Sequence, residues 1–161
     1  MTRLVAWMVA MASVQGAALY CGTHATINVT PSLPMGVYWR LACPRALAAG
    51  LVVELSPPDA LLPYLDGTPA GTHILKQLVG IPGDTVCWDE ASMRVNGAIV
   101  APRLPERPLP VGLQGCRTLG TEELAVIGTH PRSLDSRDIG TVDRRRLLHR
   151  VIPLWTWRAA S

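Results

Sequence analysis

Of the 15 Lys and Arg side chains in this 161-residue chain, 14 are arginine; the single lysine, Lys76, stands in the apolar stretch Ile74-Leu75-Lys76-Gln77-Leu78-Val79. Arginine keeps its proton at any accessible pH, whereas a lysine among apolar neighbours can lose it and act as a base. Free lysine titrates at ~10.4, so a base working near neutrality needs a downward shift of about two units or more, roughly 3 kcal/mol, which burial can supply. Strand alternation places Ile74, Lys76 and Leu78 on one face. An ammonium buried there must reach water, give up its proton or meet a carboxylate. Such a base needs a nucleophile, and Ser32 offers a hydroxyl within Asn28-Val29-Thr30-Pro31-Ser32-Leu33-Pro34-Met35-Gly36-Val37-Tyr38. Pro31 and Pro34 restrict its backbone, and Gly36 permits the turn into the next strand. Taken alone, the segment also reads as an ordinary turn.

The elements that must position these two groups are short and strand-like, punctuated by 14 Pro and 14 Gly. Strands are expected over residues 36–41, 51–55, 72–79, 85–88, 93–95, 98–100, 124–127 and 147–155, from β-rich or alternating runs bounded by Pro and Gly. Asn96-Gly97 suits a type I′ hairpin turn because both central residues take positive φ. A loop is expected over residues 101–115, where four prolines resist regular structure. Only residues 44–49 and 58–65 could hold a short helix. A mostly β domain, with coiled and strongly bent sheets around one core, follows from this pattern.

Residues 4–20 carry no charge, Arg3 precedes them and the next basic residue of the Lys/Arg type is Arg40. That run, ~17 residues, is a membrane-directed segment at the lower limit for a span, weakened by Ser13, Gln15 and Gly16, and it reads as an uncleaved anchor or a cleaved signal. The charge asymmetry orients the N-terminus toward the cytoplasm and the remainder outside. The expected organisation is therefore an anchor or signal segment over residues 1–22 and a periplasmic domain over residues 28–161. Outside the cytoplasm cysteines can pair; Cys21 adjoins the anchor, and a Cys87–Cys116 disulfide would pin the Pro-rich loop. No Cys-x-x-Cys spacing exists and His24, His73, His130 and His149 lack metal-ligand spacing, so neither a metal nor another cofactor is expected. The net charge of +3 and the run Arg144-Arg145-Arg146, without interleaved aromatics, do not call for nucleic acid.

Three segments read together carry more. Ser32 with Pro34, Gly36 and Tyr38, then Lys76 ahead of Val79-Gly80-Ile81-Pro82-Gly83-Asp84-Thr85-Val86, and then Ser133-Leu134-Asp135-Ser136-Arg137-Asp138-Ile139-Gly140 resemble, in order and spacing, the signature boxes of type I signal peptidases, peptidase family S26. The Asn-x-Thr-x-Ser-x-Pro-x-Gly-x-Tyr form of the first box and the ending Arg150-Val151-Ile152-Pro153-Leu154-Trp155 look most like the TraF branch, the conjugative-transfer peptidases. The resemblance runs from about Asn28 to Trp157. It implies the signal peptidase (LexA-like) coiled β-sheet fold and a serine-lysine dyad, with Ser32 as nucleophile and neutral Lys76 as base. It implies oxyanion stabilisation by the Thr30 hydroxyl and the Ser32 N–H, a Ser133 that orients the lysine, and a supporting Asp135–Arg137 ion pair. Leu33 and Leu75, beside the dyad in sequence, could line shallow apolar pockets for small substrate residues. The chain departs from the family pattern at Gln77, where Arg is common, at Gly128-Thr129-His130, and at Asp138-Ile139 in place of an aromatic pair.

The implied partners are a precursor protein, a secreted protein or propilin, and the inner membrane. The 11 residues between Tyr20 and Ser32 reach at most ~40 Å, which keeps the site near the membrane's outer face. An acyl-enzyme at Ser32 could be released by water or by the precursor's own amine, which would close a ring. Two other readings compete: a non-catalytic membrane-anchored β-domain serving as a scaffold in a secretion or conjugation apparatus, and a sortase-like cysteine transpeptidase using Cys116 or Cys87 with His130 and Arg137.

Overall fold

A computed structural model describes residues 2–65, 71–107, 109–110 and 112–157. Helix α1, Thr2–His24, leads into strands β1 Ala25–Asn28, β2 Met35–Leu41, β3 Val52–Leu55 and β4 Ile74–Gly80. Strands β5 Thr85–Trp88, β6 Ser92–Val95, β7 Ala98–Pro102 and β8 Gly115–Thr118 follow. The chain continues through β9 Glu123–Ile127, helix α2 Ser136–Ile139, β10 Val142–Asp143 and β11 Leu147–Trp157. The larger sheet has the order β1-β2-β11-β3-β4-β9-β10 and the smaller β7-β6-β5-β8. Every pairing between these strands is antiparallel. The mostly β expectation is met.

Alternation along β9 explains how the two sheets share a core. Leu124 and Val126 join Val53, Leu55, Leu78 and Val142 in one apolar cluster, while Ala125 and Ile127 join Val86, Trp88, Met93 and Val95 in another. Each such buried side chain contributes on the order of 1.5–3 kcal/mol. A third cluster, Leu33, Tyr38, Leu75 and Val151, lies beneath the Ser32 bend. It ties the candidate nucleophile's loop to the central strands.

Gly36 departs from its expected role as a turn residue. It lies within β2, and a Cβ there would meet the Trp155 carbonyl oxygen at 2.2 Å, so glycine is required by the close approach of β11 at its irregularity between Pro153 and Trp155. The hairpin turn behaves as its sequence predicts, with φ of 50° at Asn96 and 84° at Gly97. Cys87 and Cys116 face each other across β5 and β8 and are joined by a disulfide. The side chain of Cys21 lies outside the described residues, as do residues 158–161 of the expected domain.

Residues 44–49 form bends instead of a helix, whereas a 3-10 helix spans Asp59–Tyr64 within the second expected segment. Six residues between flanking strands nucleate no stable helical turn without a packed apolar face, and most of residues 44–49 are exposed. The expected loop over residues 101–115 is trimmed at both ends, by β7 running to Pro102 and β8 starting at Gly115. The N-terminal segment is helical, with Val5, Trp7, Met8, Met11, Val14, Leu19 and Tyr20 exposed. Among the described residues no helix is long and apolar enough to cross a membrane.

Candidate active site

The Ser32 bend is held by Asn28, a buried residue at the end of β1. Its amide nitrogen donates to the Leu33 and Pro34 carbonyls at 3.0 and 3.2 Å, and its Oδ1 accepts from the Thr30 N–H and hydroxyl. The Tyr38 hydroxyl donates to the Pro34 carbonyl at 2.6 Å, clamping the bend from β2. Thr30 Oγ1 lies 3.0 Å from Ser32 Oγ. A threonine hydroxyl has one proton, so with that proton given to Asn28 the Ser32 hydroxyl is the donor to Thr30. The sequence pattern contained Asn28 but assigned it no task. Its task is to hold Thr30 and the backbone on both sides of Ser32 with one side chain.

Lys76 is buried on β4, and its Nζ donates to Ser133 Oγ at 2.6 Å. Burial pulls its ammonium down from an ordinary 10.5 to about 8; Asp135 opposes this, Arg137 reinforces it and Asp138 opposes it. Of the three outcomes open to a lysine on an apolar face, the structure favours loss of the proton, because Lys76 is buried from water and meets a neutral hydroxyl in place of a carboxylate. Such an amine loses its proton near neutrality and can then accept one. The bonds run Lys76 to Ser133 and Ser32 to Thr30, so the two candidate dyad members share a cleft without bonding to one another.

Gly128 marks where the three segments converge. A Cβ on it would lie 2.2 Å from Ser133 Oγ and 2.6 Å from the Ser32 carbonyl oxygen. That carbonyl also accepts the Thr129 N–H at 2.7 Å. The Gly128-Thr129-His130 segment thereby seats the Ser32 bend beside Ser133. Only a hydrogen at Gly128 fits there.

Asp135 and Arg137 form a buried ion pair at 2.8 Å. Asp135 caps α2 by accepting from the Arg137 N–H and also takes the Gly128 N–H at 2.8 Å, while the Arg137 guanidinium donates to the Gly128, His130 and Ser133 carbonyls. The pair thus organises the backbone on both sides of Ser133. Ser136 joins the same frame, its hydroxyl accepting the Val126 N–H and its carbonyl accepting Trp88 Nε1–H. Two further residues were not legible as part of the site: buried Arg103 donates to the Arg137 carbonyl, and Arg107 donates to the Ser133 and Arg132 carbonyls and pairs with Asp138. Both come from the Pro-rich loop, whose composition signals only irregularity. Asp138 and Ile139, where the family carries aromatics, are each satisfied, by Arg107 and by the apolar cluster around Leu78.

Ser32, Lys76, Thr30 and Ser133 all line one cleft of about 660 Å³, with Leu75, Ile27 and Leu61 among its apolar walls. Leu75 is therefore placed on the cleft, whereas Leu33 lines a separate depression with Met35 and Trp157. Both leucines are mostly buried in the cluster beneath the bend. Cys87 and Cys116 lie in the disulfide, so neither is a thiolate nucleophile, and Arg137 is committed to Asp135; this overturns the cysteine-transpeptidase reading. Among the described residues no group of His, Cys, Asp and Glu could hold a metal ion.

The family model described as signal peptidase, peptidase S26, matches residues 1–156. The chain belongs to that family. Among its signal peptidase S26 relatives, a plasmid transfer protein TraF from Escherichia coli is 29% identical, with 88% of each chain covered. A second Escherichia coli plasmid transfer protein TraF is 26% identical over 96% of this chain and 97% of its own. Signal peptidase I from Bacillus licheniformis is 31% identical over 52% of this chain and 50% of its own. The solved structure of a signal peptidase I from Enterococcus faecalis superposes with a TM-score of 0.43 at 18% identity, covering 66% of this chain and 97% of that one. Membership in this family implies a serine peptidase acting on precursor proteins.

Proposed function

We propose that this S26 peptidase works through a Ser32–Lys76 dyad on a membrane-tethered precursor, in plasmid conjugative transfer. The observation that carries the reading is the burial of the chain's single lysine on the cleft that also holds Ser32, with its proton affinity lowered toward neutrality. In the reaction, Ser32 Oγ attacks the scissile carbonyl carbon and neutral Lys76 takes the hydroxyl proton. The Ser32 N–H donates to the oxyanion, as does the Thr30 hydroxyl once its proton turns from Asn28 Oδ1; donors so placed contribute ~3 kcal/mol each. Collapse breaks the C–N bond, and the Lys76 ammonium returns its proton to the leaving amine. Rotation of the Ser32 hydroxyl from Thr30 toward Lys76 precedes attack, as catalytic bonds in unliganded sites are often unformed.

Water or an amine then releases the acyl group. The two relatives named as plasmid transfer proteins support a role in conjugative transfer; the substrate proposed for that role is a propilin, and in its maturation the precursor's own amine would close a ring. Mass spectrometry of the product decides between them: cyclisation leaves it one water lighter than the linear product. Ser32→Ala and Lys76→Ala proteins that still process the precursor would overturn the dyad, whereas a wild-type chain that processes none would favour the scaffold reading. The exposed apolar side chains of α1 support attachment to the inner membrane through residues 4–20, and Arg3 ahead of that uncharged run supports an N-terminus in the cytoplasm with the peptidase domain in the periplasm. Carbonate extraction tests this, release of the full chain into the soluble fraction being the contrary result.

A further inference from the structure

We infer that the cleft selects a carboxylate on its polypeptide substrate and that Arg132 is the residue that binds it. The inference rests on the peptidase reading for the nature of the ligand. The basic side chains on the cleft wall are His73, Lys76, His130 and Arg132, and no Asp or Glu lines the cleft among the described residues. Three of the four are engaged: His73 contacts Glu54 at 3.3 Å, Lys76 donates to Ser133, and His130 Nδ1 accepts the Arg132 N–H at 3.1 Å. Arg132 is tied only through its backbone, its carbonyl accepting from Arg107 Nη2.

The contrast with seven of the other arginines is chemical. Those seven pair with carboxylates of this chain, whereas the Arg132 guanidinium, which lines the cleft, pairs with none among the described residues, as is also true of Arg45, Arg103, Arg144 and Arg150 away from the cleft lining. An unpaired guanidinium on the wall of an apolar cleft presents a planar donor fork to any carboxylate that enters, and bidentate pairing there is stronger than on an open surface. The His130 ring, with Nδ1 accepting, carries its neutral-form proton on Nε2 and adds a second donor on the same wall. The charges that act on Lys76 are Asp135, Arg137 and Asp138. Arg132 is thus a specificity group separable from the base.

The carboxylate could belong to an Asp or Glu side chain or to the end of the substrate chain, and one experiment distinguishes them. Fluorescence-quenched decapeptides keep Ala one and three positions before the cut, carry Glu, Gln or Lys in turn at each other position, and are made as free acids and as C-terminal amides. Cleavage is measured with the full-length chain in detergent, and Kd by anisotropy with its Ser32→Ala form, each with Arg132, Arg132→Gln or Arg132→Glu. Because Arg132 is exposed, these variants fold. The expected result is about a tenfold preference for Glu over Gln at one or two adjacent positions, carried by KM, abolished in Arg132→Gln and turned toward Lys in Arg132→Glu. A preference for free acid over amide that follows Arg132 in the same way assigns the carboxylate to the chain end instead. Ser32-dependent cleavage with the same Glu, Gln and Lys profile in all three proteins overturns the inference and leaves the peptidase intact. Charge-swapped binding without cleavage sinks the peptidase reading and keeps the carboxylate site, and peptides that neither bind nor react sink both.

Discussion

Two buried charges lie on neighbouring strands of the larger sheet and meet opposite fates. Glu54 on β3 sits opposite Leu75 on β4, and Lys76 follows it opposite Val53. Glu54, fully buried, receives Arg40 Nε and Nη2 at 2.8 Å each, His149 Nδ1 at 2.8 Å and His73 Nδ1 at 3.3 Å. Burial alone would raise its carboxyl, but these partners, Arg40 foremost, bring it down from 4.5 to about 2. Lys76 has one neutral hydroxyl partner, and burial prevails. A charge surrounded by counter-charges is fixed; one given a single hydroxyl stays poised to change protonation. Burial is common to both, so the partners decide which is structural and which is chemical.

The contrast breaks most visibly in activity. Lys76→Arg keeps a charge but cannot lose its proton, so it should fall as far as Lys76→Ala or Ser32→Ala, ~10³-fold or more in kcat. Precursor processing by the arginine variant would mean that titration is not why Lys76 is there. Next in size is stability. Arg40→Ala strips Glu54 of its main partner and should cost about 3–5 kcal/mol in denaturant unfolding at pH 7. Lys76→Met should act in the opposite direction, stabilising by about 2 kcal/mol at pH 7 after loss of the Ser133 bond is allowed for. A destabilised methionine variant would place Lys76 in the structural class with Glu54.

Smaller effects sharpen the same comparison through pH. The folded state holds Lys76 at about 8 against an ordinary 10.5. The unfolded chain therefore binds more protons between those values, and stability should rise with pH across that window, the penalty being complete below 8 and absent above 10.5. For Glu54 the sign reverses in acid: its stabilisation is complete above 4.5 and is lost as pH falls toward 2. Thermal melts of wild type against Lys76→Met and Glu54→Gln isolate each limb. In kinetics, kcat/KM should climb with pH through about 8 as Lys76 deprotonates. Ser133→Ala removes an acceptor for the ammonium, so that limb should move to lower pH while kcat drops about tenfold from lost orientation.

The sheets were largely legible where local pattern decides. β2, β3, β4, β5 and β9 coincide with β-rich runs, and Asn96-Gly97 closes the β6–β7 hairpin. The short β1, the exposed β8 and the two-residue β10 carried no such signal, because what makes them strands is a neighbour's edge. Within the site, Ser32, Lys76 and the 133–137 segment could be singled out by residue type and order. Arg103, Arg107 and Gly128 could not, since each matters only through carbonyls or side chains that folding brings to it.

Residue types and their order settle that this chain has a single lysine among arginines, a serine bracketed by prolines, and short strands separated by turns. They also carry its family. Folding alone settles which polar group each buried charge meets: Lys76 finds Ser133, 57 positions away, while Glu54 finds Arg40, His73 and His149 at separations of 14, 19 and 95. The physical reason is range. Turn geometry and strand pattern arise among residues a few positions apart, whereas desolvation and ion pairing depend on whichever atoms lie within a few ångströms in space. The lysine's identity is local, and its proton affinity belongs to the fold.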